Sequence, residues 1–114
     1  MLRLPPALAA RATARILELL GEPPHSAEGR RVLELGFAAI HARPLELAGW
    51  DVVVVEPDPA FRDRARERDG QLADAPEGRF HAAVVPAGAD VRGIAAARVL
   101  VVERDGSVFE QPLE

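Results

Sequence analysis

The chain has 114 residues, a net charge of −4 and an apolar fraction of 48%. These values predict one globular domain over residues 1–114, and they argue against a disordered chain or a protein that coats nucleic acid. The absence of cysteine excludes disulfides and zinc–thiolate sites and leads us to expect a cytoplasmic location. No apolar run approaches the ~20 residues of a membrane span, so no membrane partner is expected.

The basic residues are all arginine, fourteen in number, and the chain has ten prolines. This composition favours a GC-rich genome and a thermophilic source.

The first 28 residues are predicted to form a helix and a connection, and residues 29–114 the sheet core. An apolar stripe at helical spacing predicts a helix that begins at Pro5-Pro6 and ends before Gly21. Residues 31–35 predict a buried strand, and a short helix is expected over about 43–48. Residues 52–55 are four consecutive valines, a pattern typical of a parallel strand that is buried on both faces.

In the second half, Asp58 as N-cap and Pro59 predict a helix over about 59–68. A stub of strand at 71–73 and strands at 81–85 and 98–103 follow, with a short helical or irregular crossover before the last of them. Asp105-Gly106 predicts a two-residue hairpin turn, after which residues 107–110 return antiparallel. Strands that alternate with helices predict an α/β sheet.

The sequence spacing between a strand-ending glycine and an acid bears on the function. Gly36 closes the first predicted strand, and Glu56 follows the valine run twenty residues later. In Rossmann-like sheets an acid at this spacing accepts hydrogen bonds from ribose hydroxyls, which predicts a nucleoside-type ligand. The alternative is that Glu56 caps the next helix or is simply solvated.

Four segments, in order and spacing, resemble class I S-adenosylmethionine-dependent methyltransferases. Residues 29–36 resemble the first motif of that family, and residues 49–60 resemble its second strand with the terminal acid. Residues 72–75 resemble the segment whose Asp meets the adenine amino group, and residues 78–85 resemble the fourth strand. The resemblance implies a three-layer, Rossmann-like, mostly parallel sheet of about five strands, with flanking helices and a C-terminal antiparallel hairpin strand.

The same resemblance implies S-adenosylmethionine or S-adenosylhomocysteine as cofactor. The residues that it places around this cofactor are Glu34, Gly36, Phe37, Ala38, Glu56, Pro57, Asp74 and Ala75. Glu34 could instead bind only backbone amides of the loop, and Asp74 could be a turn former. The chain departs from the family because Ala38 and Ile40 replace two motif glycines, and because no acceptor-handling motif follows Pro86.

Two functions therefore stand side by side. One is a minimal S-adenosylmethionine-binding, methyltransferase-like protein of unknown acceptor. The other is a non-catalytic Rossmann-like scaffold that acts as a homodimer through its C-terminal sheet edge or as a partner subunit. His25, His41 and His81 lack the spacing of a metal pair, so no metal is expected. His81 could serve as a base, but a polar strand end is the more common role.

Overall fold

A computed structural model describes residues 4–68 and 70–112, and the ends of the predicted domain, residues 1–3 and 113–114, lie outside the described residues. In chain order the helices and strands are α1 (Pro6–Leu20), β1 (Arg31–Leu35), α2 (Ala42–Leu47), β2 (Asp51–Val55), α3 (Pro59–Arg66), β3 (Gln71–Ala73), β4 (Arg79–Pro86), β5 (Ala95–Val102) and β6 (Val108–Gln111). Among these described elements, no helix is both long and apolar enough to cross a bilayer.

The strands form one six-stranded sheet in the order β3-β2-β1-β4-β5-β6. Strands β1 to β5 are parallel, and β6 pairs antiparallel with β5. The prediction of an α/β fold with a mostly parallel sheet and an antiparallel last strand is confirmed. The segment between β4 and β5 is irregular, which is one of the two forms expected for it.

The core lies on both faces of the sheet. The helix-side cluster joins the sheet to all three helices; its main members are Ala12, Ile16, Leu20, Ala42, Leu45, Ala65, Val32, Val52, Val54, Val84 and Leu100. The loop-side cluster lies on the opposite face; its buried members are Leu33, Val53, Val55, Phe80, Ala83, Val85, Val99 and Val101. The four valines of β2 divide evenly between the clusters, which confirms that this strand is buried on both faces.

The three-layer prediction is wrong for the described residues, because all three helices pack on one face. The loop-side cluster is covered instead by Ala89, Val91 and Ile94, which belong to the irregular segment 87–94. That segment is shorter than the dozen or so residues that a helical crossover needs. The segment between β3 and β4, residues 74–78, is shorter still. The sheet therefore has one helical layer rather than two.

The hairpin turn also differs from its prediction. Glu103 N donates to Ser107 O at 2.8 Å, so the loop contains three residues rather than the predicted two. Gly106 has φ 82°, the left-handed residue that typically ends a three-residue hairpin loop. A Cβ at this position would lie 2.9 Å from Leu8 O of α1. The close approach of the helix therefore requires glycine at this position.

Candidate functional site

Gly36 and Glu56 lie at the same edge of the sheet, as predicted. Leu35 and Val55 are paired in the parallel register of β1 and β2, so the residues that follow them emerge side by side. Gly36 N donates to Val55 O at 2.9 Å, and φ of Gly36 is 81°. The glycine thus makes the turn out of β1 directly beside the acid that follows β2.

The carboxylate of Glu56 is occupied by the protein itself. Ala38 N donates to Glu56 Oε1 at 2.8 Å, and Asp58 N donates to Glu56 Oε2 at 3.0 Å. The residue is only 3% exposed. Each carboxylate oxygen therefore already accepts a hydrogen bond from a backbone N–H, whereas a nucleoside site would offer these oxygens to ribose hydroxyls. The geometry is that of an internal brace between two loops.

The loop after β1 is held in an uncommon conformation. Ala38 and Ala39 have φ of 51° and 63°, in the left-handed region that costs an L-residue other than glycine about 1–2 kcal/mol. Glu56 holds this loop by the N–H of Ala38, and Arg68 Nη1 donates to Ala38 O at 2.9 Å. These contacts hold the alanines in a conformation that glycine adopts more readily. Both alanines are buried.

Glu34 also holds the loop after β1, through the backbone N–H of His41. His41 N donates to Glu34 Oε1 at 3.2 Å, and Glu34 Oε2 is buried without a hydrogen-bond partner among the described residues. Desolvation by burial raises the pKa of Glu34 to about 8, while the His41 N–H and the charge of Arg68 lower it. At neutral pH the buried side chain is therefore mainly the uncharged acid.

His41 was not predicted to have a role beyond its exclusion as a metal ligand, yet it is fully buried. Its Nδ1 lies 2.6 Å from Thr13 Oγ1, and that hydroxyl donates to Ala9 O at 2.9 Å. Since the Thr13 proton is used by Ala9, the hydroxyl accepts from a protonated Nδ1, which fixes the tautomer. Burial lowers the pKa of His41 to about 4.

One signal in the sequence could have revealed this histidine. Thr13 stands among the buried residues Ala12, Ile16 and Leu20 of α1, where a hydroxyl requires a partner. The ring of His41 also packs edge-on against Phe37, with centroids 4.9 Å apart. Phe37, predicted to contact the cofactor, is instead buried in the helix-side cluster.

The other predicted site residues lie at the same end of the sheet, because Pro57 follows Glu56 directly and Ala73, which precedes Asp74, pairs with Val55 in the parallel register of β2 and β3. Asp74 and Ala75 are exposed, and Asp74 forms an ion pair with Arg62. Both line a cavity of about 290 Å³ that Val53 and Gln71 also line, and neither Gly36 nor Glu56 is in its wall. Pro57 is exposed.

The remaining histidines do not build a metal centre. His81 stacks against Trp50, with ring centroids 5.0 Å apart. Within residues 4–68 and 70–112 no group of His, Asp or Glu has the arrangement of a metal site.

A comparison of the chain with protein-family models finds no match, and a comparison with curated proteins finds none either.

Substitution of Glu56 by Gln is expected to destabilise the fold. The amide retains one acceptor and turns an NH₂ group toward the second backbone donor, so one buried N–H loses its partner. We expect the free energy of unfolding in urea to fall by about 2 kcal/mol. Asp74→Asn is the matched control because its carboxylate is exposed, and it should cost less than about 1 kcal/mol. Equal effects of the two substitutions would contradict the brace.

The stability of the protein is expected to depend on pH through Glu34. Its pKa of about 8 in the folded state lies above the ordinary value of 4.5, so the folded state binds the proton more tightly. The resulting stabilisation is complete below pH 4.5 and is lost as the pH rises toward 8, by on the order of 1 kcal/mol per pH unit. Urea unfolding at several pH values should show that Glu34→Gln removes this loss; parallel curves for wild type and variant would refute it.

His41 acts in the opposite direction and serves as the internal control. Its pKa of about 4 lies below the ordinary 6.5, so its contribution is complete above pH 6.5 and is lost as the pH falls toward 4. Between pH 4.5 and 6.5 the two slopes cancel. Glu34→Gln should therefore remove the alkaline limb and extend the acid limb, so that the stability of the variant falls from pH 6.5 down to pH 4.

Proposed function

We propose that this chain is a non-catalytic scaffold with a methyltransferase-like, Rossmann-like sheet, in which the former nucleoside-binding edge has become a structural brace. It acts by association with a second copy of itself or with a partner subunit. The proposal rests on one observation above all. The acid expected to bind ribose, Glu56, is buried and accepts hydrogen bonds from Ala38 and Asp58.

The surroundings of Glu56 support the same proposal. Glu56 is only 3% exposed, so a nucleoside would reach its carboxylate only if the loop after β1 moved, and that loop is held by Glu56, Arg68 and Glu34. The expected adenine contact, Asp74, forms an ion pair with Arg62 and lines a cavity whose wall does not include Glu56. A cofactor site would need an acid, a free loop and an adenine contact from this end of the sheet, and each of the three is already bonded within the chain.

The sheet edge at β6 supports the association. β6 is the last strand in the sheet order, so among the described residues its outer edge has no neighbouring strand. It carries Phe109, which is 45% exposed and lies opposite Val101 of the loop-side cluster. An exposed aromatic side chain on an open edge strand favours pairing with another strand. A two-fold axis beside β6 would join two sheets and cover both Phe109 side chains.

A second candidate function is the binding of S-adenosylmethionine or S-adenosylhomocysteine. The observation that favours it is the contact between Gly36 and Val55, which places the strand-ending glycine beside Glu56 as in a nucleoside site. In this case the Ala38 N–H would have to leave the carboxylate when the ligand binds.

Calorimetric titration separates the two candidates. For the scaffold we expect no heat of binding with either cofactor form up to about 1 mM ligand, because Glu56 is already bonded within the chain. Saturable binding at micromolar concentration would contradict the scaffold. If such binding occurred, Glu56→Ala should abolish it and Asp74→Asn should show whether the adenine contact contributes.

The oligomeric state tests the association. We expect light scattering after size exclusion to show a homodimer at micromolar concentration, and Phe109→Glu to convert it to a monomer by placing charges at the shared edge. Leu47→Glu is the matched control, because Leu47 is 75% exposed at the end of α2, away from the edge strand. A monomer at all concentrations, or equal effects of both substitutions, would remove the homodimer and leave only a partner subunit of different sequence.

A further inference from the structure

The hydrogen-bond pattern between β5 and β6 determines which backbone groups of β6 face the open edge of the sheet. Glu103 N donates to Ser107 O, so these two residues form a hydrogen-bonded pair. Along an antiparallel ladder such pairs alternate with pairs whose N–H and C=O groups point away from each other. Val102 and Val108 are therefore a pair of the second kind. The hydrogen bond from Ala87 N to Val102 O, on the β4 side of β5, agrees with this assignment.

The open edge of β6 consequently presents two residues for pairing with another strand. The alternation turns the N–H and C=O of Val108 and Glu110 outward, and it turns those of Phe109 toward Val101 on β5. This set is complementary to itself. A two-fold axis normal to the sheet at Phe109 places Val108 of each copy opposite Glu110 of the other. Each of these pairs exchanges both of its N–H···O bonds.

Two other registers keep the faces of both sheets aligned, and each is poorer. Centred on Glu110, the pairing would bring two carboxylates of like charge directly opposite each other, and Val108 would face Pro112, which has no N–H. Centred on Val108, it would set Glu110 opposite Gly106, whose N–H is already used within the hairpin loop. Only the register centred on Phe109 pairs every outward N–H and C=O of Val108 and Glu110.

The side chains at this edge fit the same register. Phe109, which is 45% exposed, meets its own copy across a pair without hydrogen bonds, where facing side chains are closest. On the helix side, Glu110 of the second copy lies beside Val108, which lines a cavity together with Arg11 of α1. Asp105 of the same chain is attracted to Arg11, but its carboxylate accepts its hydrogen bonds from the hairpin loop. An acid of each copy thus approaches a guanidinium of the other.

We propose that two copies of this chain pair along β6 in this one register, with Phe109 on the two-fold axis, so that the two sheets continue into each other. The inference rests on the homodimer form of the proposed scaffold function and specifies its interface. The docking element is an extended strand of the same chain, held by backbone hydrogen bonds. Because a two-fold contact is closed, it uses both β6 edges and produces a dimer rather than a fibre.

Disulfide cross-linking tests the register, because the chain has no cysteine of its own. The variant Phe109→Cys is oxidised with copper–phenanthroline and air under non-denaturing conditions and is separated on a non-reducing gel. In the proposed register the two Cα atoms at this position lie about 4.5 Å apart, within the range that a disulfide spans. We expect most of the chain to run as a covalent dimer.

Gln111→Cys is the matched control, since Gln111 is exposed and lies on the same face of the same strand. Its two Cα atoms lie about 14 Å apart in the proposed register, so this variant should remain unlinked. The double variant with Ser107→Cys should cross-link again, because Ser107 faces Gln111 of the second copy. The double variant retains Phe109, so it keeps the register testable if Phe109→Cys weakens the dimer.

A proline tests the backbone hydrogen bonds. Glu110→Pro removes an N–H that faces outward, so the edge strand tolerates it while the second copy loses a donor. Glu110→Ala is the control, since it removes the same carboxylate and keeps the N–H. We expect analytical ultracentrifugation to give a dimer dissociation constant at least about tenfold higher for the proline variant than for the alanine variant. Equal constants would overturn the register.

Light scattering on the same samples separates the two kinds of failure. A dimer that cross-links neither in Phe109→Cys nor in the double variant would overturn the register and leave the homodimer in place. Equal cross-linking of Phe109→Cys and Gln111→Cys would do the same, because it would indicate parallel or unspecific contact. A monomer at every concentration would overturn the homodimer and this inference together.

Discussion

The arrangement of the loops at the carboxyl end of the parallel strands depends on the hydrogen bonds that the Glu56 carboxylate accepts. One oxygen holds the loop after β1 through Ala38 N, and the other holds the chain before α3 through Asp58 N. Asp58 in turn caps α3, because its side chain accepts from Ala60 N at 3.0 Å. A single buried group thus sets both the left-handed turn that leads toward α2 and the point where α3 begins. Since a buried acceptor must be satisfied, its two donors keep these loops closed over it.

A second polar linkage joins α1 to the sheet. Thr13 on α1 bonds to His41, and the backbone N–H of His41 bonds to Glu34 on β1. Burial keeps the acid protonated and the imidazole neutral, so the linkage crosses the helix-side cluster without a formal charge. Apolar packing alone would let α1 slide along the sheet, whereas hydrogen bonds with fixed geometry specify one position for it.

Much of the fold follows from short-range patterns. The four valines of β2, the Asp58-Pro59 start of α3 and the apolar stripe of α1 each predict an element that the structure contains. The missing helical layer was not predicted, because the prediction came from a family resemblance rather than from the length of residues 74–78 and 87–94. The hairpin loop has one residue more than predicted, and the approach of α1 to Gly106 is a tertiary contact that Asp105-Gly106 alone does not encode.

The position of the candidate site could be predicted from the sequence, but the hydrogen bonds that its acid accepts could not. The spacing of Gly36 and Glu56 predicts that they are neighbours, since parallel strands of equal register end at one edge. The spacing does not determine the direction of the carboxylate. That direction depends on whether backbone N–H groups of the neighbouring loops donate to it. The resemblance itself indicated a difference in use, because Ala38 and Ile40 stand where the resembled family has glycines. The role of His41 requires α1 to be docked, and no local pattern around His41 contains that information.

The single helical layer gives the two faces of the same strands different modes of opening. On one side a valine such as Val54 meets water only if a helix detaches, which breaks many contacts at once. On the other side Val99 and Val101 lie beneath an irregular segment with few backbone hydrogen bonds of its own. Local fluctuations of that segment cost little and do not require global unfolding. We therefore expect water, denaturant or protease to reach the sheet interior first from the loop side, because exposure of the helix-side cluster requires a helix to detach.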